Sequence, residues 1–181
     1  MNKLFTLFFL ISISINCQNL DLINPENNIG VNNWSIVNDD VMGGISKSFL
    51  SINEDKNLIF KGYLSLENNG GFASSRLSIS KEKLKGVKSF KIKFKGDGNT
   101  YKLRLRQGNR RASYSSDFIS VKNKWLEVDI PVENFKPTWR GYTYSDYPAV
   151  EIEKINSLGL HISDKQEGEF TLEIEYIKAT Y

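Results

Sequence analysis

Residues 90–106 read FKIKFKGDGNTYKLRLR, and they hold two runs in which every second residue is apolar and the others are lysine or arginine. The apolar positions are Phe90, Ile92, Phe94, Leu103 and Leu105. Successive side chains of a β-strand point to opposite faces, so each run predicts a strand with one face in a core and one in water. The intervening residues 96–99, GDGN, predict a tight turn between the two strands.

The same period of two continues along the chain, in residues 126–130 (LEVDI) and 170–174 (FTLEI). Glycine- and asparagine-rich segments separate these runs and predict turns. After residue 20 no segment has a long helical period, and one short helical turn is expected within residues 151–157. Short strands that follow one another without intervening helices predict an all-β, antiparallel sandwich or barrel.

The composition limits the chemistry that this fold can carry. The 181 residues fit one domain, and 24 Lys and Arg against 21 Asp and Glu give a net charge of only +3. That excess is too small to indicate nucleic-acid binding. One cysteine and one histidine, His161, exclude an intramolecular disulfide framework and argue against a cysteine or histidine metal centre and a Ser-His-Asp triad. No metal, cofactor or catalytic residue is predicted.

The N-terminal residues predict export. Residues 1–16 carry one lysine and then a short apolar run, which is the layout of a signal peptide and too short for a membrane span. Cys17 follows directly, where bacterial lipoproteins carry the cysteine that accepts lipid. We therefore expect a lipoprotein of the cell envelope, with plain secretion or an uncleaved anchor as alternatives. Residues 17–28 are predicted to be a linker and residues 29–181 the β-sandwich domain.

An acidic corner follows the first strand signal of the domain, in residues 34–46, WSIVNDDVMGGIS. Asp39 and Asp40 can cap backbone amides at a turn, or accept hydrogen bonds from a ligand. Adjacent residues of a strand point to opposite faces, so this pair is weak evidence for acid–base catalysis. Arg76, after the small residues of 70–75, is a candidate ion-pair partner of Asp39 or Asp40 at the rim of the sandwich.

Five blocks together resemble the CIA30 family, the complex I intermediate-associated protein 30 domain. The blocks are residues 34–46, 68–76 (NNGGFASSR), 96–106, 125–141 and 158–170. The resemblance runs over nearly all of the chain after the signal segment. It implies a galactose-binding-like jelly-roll β-sandwich. It also implies relatives that act as chaperones in the assembly of respiratory complex I (NADH:ubiquinone oxidoreductase) and have no catalytic activity.

Two surfaces are candidates for ligand or partner binding. The first is aromatic and comprises Trp139, Arg140, Tyr142 and Tyr144, with Tyr147 nearby. Exposed rings of this kind stack on sugars, although the same loop can fold back and bury its aromatic side chains.

The second candidate surface is cationic. Arg104 and Arg106 lie on one face of their strand, with Lys102 before them and Arg110 and Arg111 after them. Such a row can bind phosphate, acidic glycan or lipid headgroups, or it can be an ordinary solvated face.

The sequence thus predicts a non-catalytic binding protein, similar to an assembly factor and exported to the cell envelope. Its expected partner is an envelope protein. The alternative is a carbohydrate-binding module that binds a glycan through a loop or a concave face of the sandwich. Nucleic acid is not expected as a partner, and the membrane is contacted through a lipid on Cys17 if that residue is acylated.

Overall fold

The computed structural model describes residues 19–80, 82–108 and 110–181. The predicted signal segment 1–16 and Cys17 lie outside this part of the chain. The strands are β1 (Asn19–Ile23), β2 (Trp34–Ile36), β3 (Lys47–Ile52), β4 (Leu58–Leu64), β5 (Ala73–Ser78), β6 (Ser89–Lys95), β7 (Thr100–Gln107), β8 (Ser113–Ile119), β9 (Trp125–Pro131), β10 (Lys136–Trp139), β11 (Tyr142–Thr143), β12 (Ile155–Ile162) and β13 (Gly168–Thr180).

Five short 3₁₀ turns lie between the strands. They are Pro25–Asn27, Asp39–Met42, Glu67–Asn69, Val132–Asn134 and Ile152–Lys154. The last of them confirms the single helical turn expected near residues 151–157. No helix in the described ranges is long and apolar enough to cross a membrane.

The strands form two antiparallel sheets, as the period of two predicted. One sheet has the order β3-β4-β13-β6-β9, with β1 also paired to β13. The other has seven strands in the order β11-β10-β8-β7-β12-β5-β2. The crossing connections between the sheets give a sandwich of the jelly-roll type, and the all-β fold class is therefore confirmed.

The core lies between the two sheets and contains the apolar positions of the opening stretch. Phe90, Ile92 and Phe94 of β6 are fully buried, and so are Leu103 and Leu105 of β7. Aromatic rings meet across this core, for example Phe94 and Phe118 with ring centroids 4.9 Å apart. Because the apolar side chains of β7 point inward, its arginines point to the opposite face of the sheet.

The linker prediction for residues 17–28 is corrected by the structure. Asn19–Ile23 forms β1, which pairs with the last strand, and Leu22 and Ile23 are buried in the core. The domain therefore includes residues that precede the predicted boundary at 29. The apolar signal of β1 is short: Leu22 and Ile23 are buried, and Leu20 packs against the core while partly buried.

The GDGN segment turns the chain between β6 and β7. Such a short connection predicts a β-hairpin, and this is corrected by the structure, because β6 and β7 belong to different sheets and the turn connects the two sheets. The side chain of Asp97 holds the turn together. This carboxylate accepts hydrogen bonds from the backbone N–H of Asn99 at 3.0 Å, the hydroxyl of Tyr101 at 2.9 Å and the backbone N–H of Thr171 at 2.7 Å. Asp97 is therefore a structural residue that ties the β6–β7 turn to β13.

Candidate functional site on the seven-stranded sheet

The outer side of the seven-stranded sheet carries three arginines in neighbouring positions. In the strand register Arg76 of β5 lies opposite Gly159 of β12, and Gly159 lies opposite Arg104 of β7. Directly opposed residues project to the same side of a sheet. Arg106 follows two positions after Arg104 and projects to that side as well. We call the surface formed by Arg76, Arg104, Arg106 and Gly159 the cationic face.

Gly159 forms the floor of a cleft in the cationic face. A methyl group at this position would clash with the backbone carbonyl oxygen of Ser75 and would lie 3.7 Å from Cγ of Arg76. Glycine in a strand often marks a close approach of another backbone, and here it lets the carbonyl oxygen of Ser75 come close at a position between two arginines. Arg76, Arg104, Arg106 and Ser157 line this cleft.

Arg104 is held in place by neutral partners. One of its terminal nitrogens lies 3.1 Å from Nδ1 of His161, and the other donates to the hydroxyl of Ser113. Burial, together with the neighbouring Arg76 and Arg106, lowers the pKa of Arg104 to about 10. The side chain is therefore charged at neutral pH, but its environment opposes the charge.

His161 lies beside Arg104 and is almost fully buried, with 7% of its surface exposed. Burial, and then the charges of Arg104, Lys102 and Arg76, hold the pKa of His161 well below its ordinary value of 6.5. The ring is therefore neutral, and because an arginine only donates, Nδ1 is the acceptor. The ring also stacks on Phe72 with centroids 5.6 Å apart.

The cations predicted around Arg104 divide into paired and unpaired side chains. Lys102 contacts Asp117 at 2.8 Å and Asp164 at 2.6 Å. Arg110 pairs with Glu151 and also donates to the hydroxyl of Tyr114. Lys102 and Arg110 therefore make structural contacts, and the cations of the cationic face are Arg76, Arg104 and Arg106.

Arg76 does not form the ion pair that the sequence predicted. In the ranges that the structure describes, neither Arg76 nor Arg106 has an acidic partner, and burial followed by the charge of Arg106 lowers the pKa of Arg76. The predicted pairing of Arg76 with Asp39 or Asp40 is therefore wrong. The strand order explains the error, because β12 brings Arg76 next to Arg104 instead.

Asp39 is a structural acceptor at the acidic corner. Its fully buried carboxylate accepts hydrogen bonds from the backbone N–H of Ser46 at 2.9 Å, the hydroxyl of Ser46 at 2.5 Å, and the backbone N–H groups of Gly71 at 2.7 Å and Phe72 at 3.2 Å. A methyl group on Gly70 would lie 2.6 Å from Oδ2 of Asp39, so the glycines allow the loop to approach. Asp40 is exposed.

The aromatic surface is only partly folded back. Tyr147 packs against Tyr114 and Tyr144, with ring centroids 6.3 Å apart in both pairs. Tyr142 remains 72% exposed. Two guanidinium groups lie over the ring of Trp139, that of Arg111 at 5.1 Å and that of Arg140 at 4.8 Å from the ring centroid.

The aromatic surface and the cationic face are separate. The hydroxyl of Thr138 lies 3.1 Å from that of Ser115, which occupies the row of Arg104 on the cationic side. Trp139 is the next residue of the same strand, so its ring projects to the other side of the sheet. The structure thus places Arg76 beside Arg104 and Arg106, a neighbourhood that the sequence did not predict. The aromatic surface, which comprises Trp139, Arg140, Tyr142 and Tyr144, is separate from these arginines.

The arrangement is suited to binding. Within residues 19–80, 82–108 and 110–181, no group of three or more His, Cys, Asp or Glu side chains is placed to hold a metal ion. The cationic face offers guanidinium donors, a backbone floor and the hydroxyl of Ser157. These groups can hold an anionic or polar ligand by hydrogen bonds and charge.

Several solved structures with a similar fold are carbohydrate-binding modules. The family 11 module of the cellulase Lic26A-Cel5E of Clostridium thermocellum superposes with a TM-score of 0.68 at 15% identity, over 92% of this chain and 95% of that chain. The same family 11 module in complex with a β-1,3-1,4-mixed-linked tetrasaccharide gives a TM-score of 0.66 at 15% identity, over 89% and 94%. At this level of identity the likeness shows the fold.

Sequence comparison identifies a mitochondrial relative. The chain is 25% identical over 173 residues to mouse (Mus musculus) "Complex I intermediate-associated protein 30, mitochondrial", which covers 80% of this chain. The chain spans 51% of the length of that relative. The model of the family "Complex I intermediate-associated protein 30 (CIA30)" matches residues 23–174, which include the acidic corner, the cationic face and the aromatic surface. The chain therefore belongs to the CIA30 family.

Proposed function

We propose that this CIA30 protein is a non-catalytic binding protein of the cell envelope, similar to an assembly factor, and that it binds a protein partner with its cationic face. The observation that carries the proposal is the group of Arg76, Arg104 and Arg106, which have no acidic partner in the described part of the chain. Like charges placed together oppose folding, so a cleft that concentrates them is a candidate for ligand binding.

The mouse relative bears the name of a complex I intermediate-associated protein, which supports a protein partner. The fold alone does not determine function, so the proposal rests on the site. A partly exposed cationic face also steers an acidic partner toward the protein, and this attraction weakens with salt.

The test of the partner compares three versions of the full chain in a quantitative pull-down. Arg76→Glu with Arg106→Glu reverses two charges of the cationic face. Lys61→Glu, a single reversal at an exposed residue of β4 in the other sheet, is the control. We expect that some partner proteins bind to the wild type and to the control in the pull-down and do not bind to the double variant. Retention of one identical set by all three versions would contradict the proposal.

Export to the envelope is the second part of the proposal. It is supported by the apolar segment within residues 1–16 and by Cys17 directly after it. Labelled palmitate should enter the wild-type protein and should not enter Cys17→Ser, and wild-type protein should fractionate with the envelope. Wild-type protein in the cytoplasmic fraction would contradict export. Envelope protein without label would contradict lipidation alone.

Glycan binding is a second candidate function, favoured by the aromatic surface. Tyr142 is 72% exposed and pairs with Trp139 in the strand register, and several structural neighbours are carbohydrate-binding modules. Aromatic rings supply the stacking surface for sugars. A glycan array identifies ligands, and affinity electrophoresis then compares Tyr142→Ala with Tyr63→Ala, a half-exposed tyrosine on the other sheet. Loss of retention in Tyr142→Ala only is expected. Equal retention would exclude this surface.

A further inference from the structure

We infer that the cleft over Gly159 binds an oxyanion group of the ligand, a carboxylate, phosphate or sulfate, between the guanidinium groups of Arg76, Arg104 and Arg106. The inference rests on the proposed function of the cationic face and names the chemistry that this face recognises.

The spacing of the three arginines fits this role. Neighbouring strands lie about 4.8 Å apart, so the Cα atoms of Arg76 and Arg104 stand ~10 Å apart with Gly159 between them. Residues two apart in a strand are separated by ~6.7 Å, which is the distance from Arg104 to Arg106. Long side chains rooted at these points can converge on one small group above Gly159, which has no side chain of its own to obstruct the approach.

The charge balance of the cleft points in the same direction. Lys102 and Arg110, just outside it, are compensated by Asp117, Asp164 and Glu151. In contrast, the described residues provide no carboxylate partner for the three arginines of the cleft. Burial, and then the repulsion from Arg76 and Arg106, lower the pKa of Arg104. An oxyanion would remove this repulsion, and guanidinium groups hold oxyanions by paired, charge-assisted hydrogen bonds.

The orientation of Arg104 is fixed before any ligand binds. His161 and Ser113 accept from its two terminal nitrogens, and the histidine is in turn packed on Phe72. Both acceptors are neutral, so they orient the guanidinium without cancelling its charge. Each terminal nitrogen carries a further N–H that remains for a ligand. A donor group held in this way loses little conformational entropy when the ligand arrives.

The test is a titration of the full chain, labelled with ¹⁵N-arginine, with sodium phosphate, sulfate or acetate. Each titration is compared with chloride at equal ionic strength and pH 7. We expect saturable shifts of the Nε–H signals of Arg76 and Arg106 with at least one oxyanion. If chloride produces the same shifts as phosphate, sulfate and acetate, the inference is overturned.

Matched variants locate the site. Arg76→Gln with Arg106→Gln removes two cleft charges that have no acidic partner in the described residues, and Lys61→Gln at an exposed position of β4 is the control. We expect at least tenfold weaker oxyanion binding in the double variant and unchanged binding in the control, by calorimetry on folded samples. Equal affinity in all three proteins would overturn the inference.

Two further ligands identify the source of the oxyanion. A glutamate peptide and an oligogalacturonate are offered at equal carboxylate concentration, and binding of either one that depends on Arg76 and Arg106 supports the inference. If the pull-down depends on the cationic face while no oxyanion binds, the proposed function stands and the inference fails. If oxyanions bind and no partner is lost in the charge-reversal variant, the protein-partner proposal fails alone.

Discussion

Replacing Asp39 by alanine tests whether the acidic corner holds the fold together. The carboxylate accepts from three backbone N–H groups, those of Ser46, Gly71 and Phe72, and from the hydroxyl of Ser46. Alanine leaves the three N–H groups without an acceptor, whereas the hydroxyl retains the carbonyl oxygen of Ser65 at 3.3 Å. The variant therefore reports mainly on three unsatisfied backbone donors.

The expected loss of stability follows from these three donors. An unsatisfied buried donor costs about 1–3 kcal/mol. The N–H of Ser46 is buried, and those of Gly71 and Phe72 lie in partly buried contacts where water can compensate. About 1 kcal/mol for each of the three donors gives about 3 kcal/mol, and about 3 kcal/mol for the buried N–H of Ser46 with about 1 kcal/mol for each of the other two gives about 5 kcal/mol. For a domain of this size, 1 kcal/mol corresponds to ~2–4 °C, so Tm should fall by roughly 6–20 °C.

The assay is urea and thermal denaturation followed by circular dichroism, with Asp40→Ala as the control. Asp40 is the exposed neighbour in the same 3₁₀ turn, so its replacement should change stability by less than about 0.5 kcal/mol. Equal effects of the two substitutions would refute the structural role of Asp39.

The pH dependence of the same corner gives an independent check. Burial raises the pKa of Asp39, but hydrogen bonds from Ser46, Gly71 and Phe72 outweigh it and leave the pKa below its ordinary value of 3.8. A lowered native pKa stabilises the fold above the unfolded pKa, and this contribution is lost as the pH falls through the native value. The stability difference between wild type and Asp39→Asn should therefore be constant at neutral pH and shrink below about pH 4.

Two further predictions concern the cationic face. Burial and the adjacent cations keep His161 neutral in the fold, so the unfolded chain takes up an extra proton below its pKa of 6.5. Because of this proton, the free energy of unfolding of the wild type should fall by about 1.4 kcal/mol from pH 7.5 to 5.5. Urea titrations of His161→Gln should show no such pH-dependent decrease. If the variant keeps the pH slope of the wild type, a group other than His161 titrates. Gly159→Ala places a methyl group against the carbonyl oxygen of Ser75, so a loss of about 1–3 kcal/mol is expected. Ser157→Ala in the same strand should unfold like the wild type, and equal Tm values for the two variants would contradict the close approach at Gly159.

The sandwich was predictable because its evidence is local. Alternation in residues 90–94 and 101–105 identifies the inward side chains without knowledge of their partners, and these residues are buried as expected. β1 was not predictable in this way. Its buried residues become a strand only by pairing with β13, at the far end of the chain. A contact between distant segments leaves no period in the sequence.

For the cationic face, local alternation predicted the two arginines of β7 and could not predict the third, from β5. The alternation that buries Leu103 and Leu105 also turns Arg104 and Arg106 outward, and this much was expected. The addition of Arg76 depends on the insertion of β12 between β5 and β7, which is a property of the strand order. The sequence contains a weak sign of it, since Gly159, between the inward Leu158 and Leu160 of β12, leaves without a side chain the outward position that lies between two arginines.

The acidic corner and the cationic face are linked by an unbroken series of contacts. Asp39 accepts from the backbone N–H of Phe72, the ring of Phe72 stacks on His161, and His161 accepts from Arg104. The loop that Asp39 holds also leads directly into β5, which carries Arg76. The residues that secure the fold at this end therefore also position two arginines of the cleft. A change at the corner can consequently alter ligand binding without any contact to the ligand, so binding by corner variants has to be measured well below their Tm.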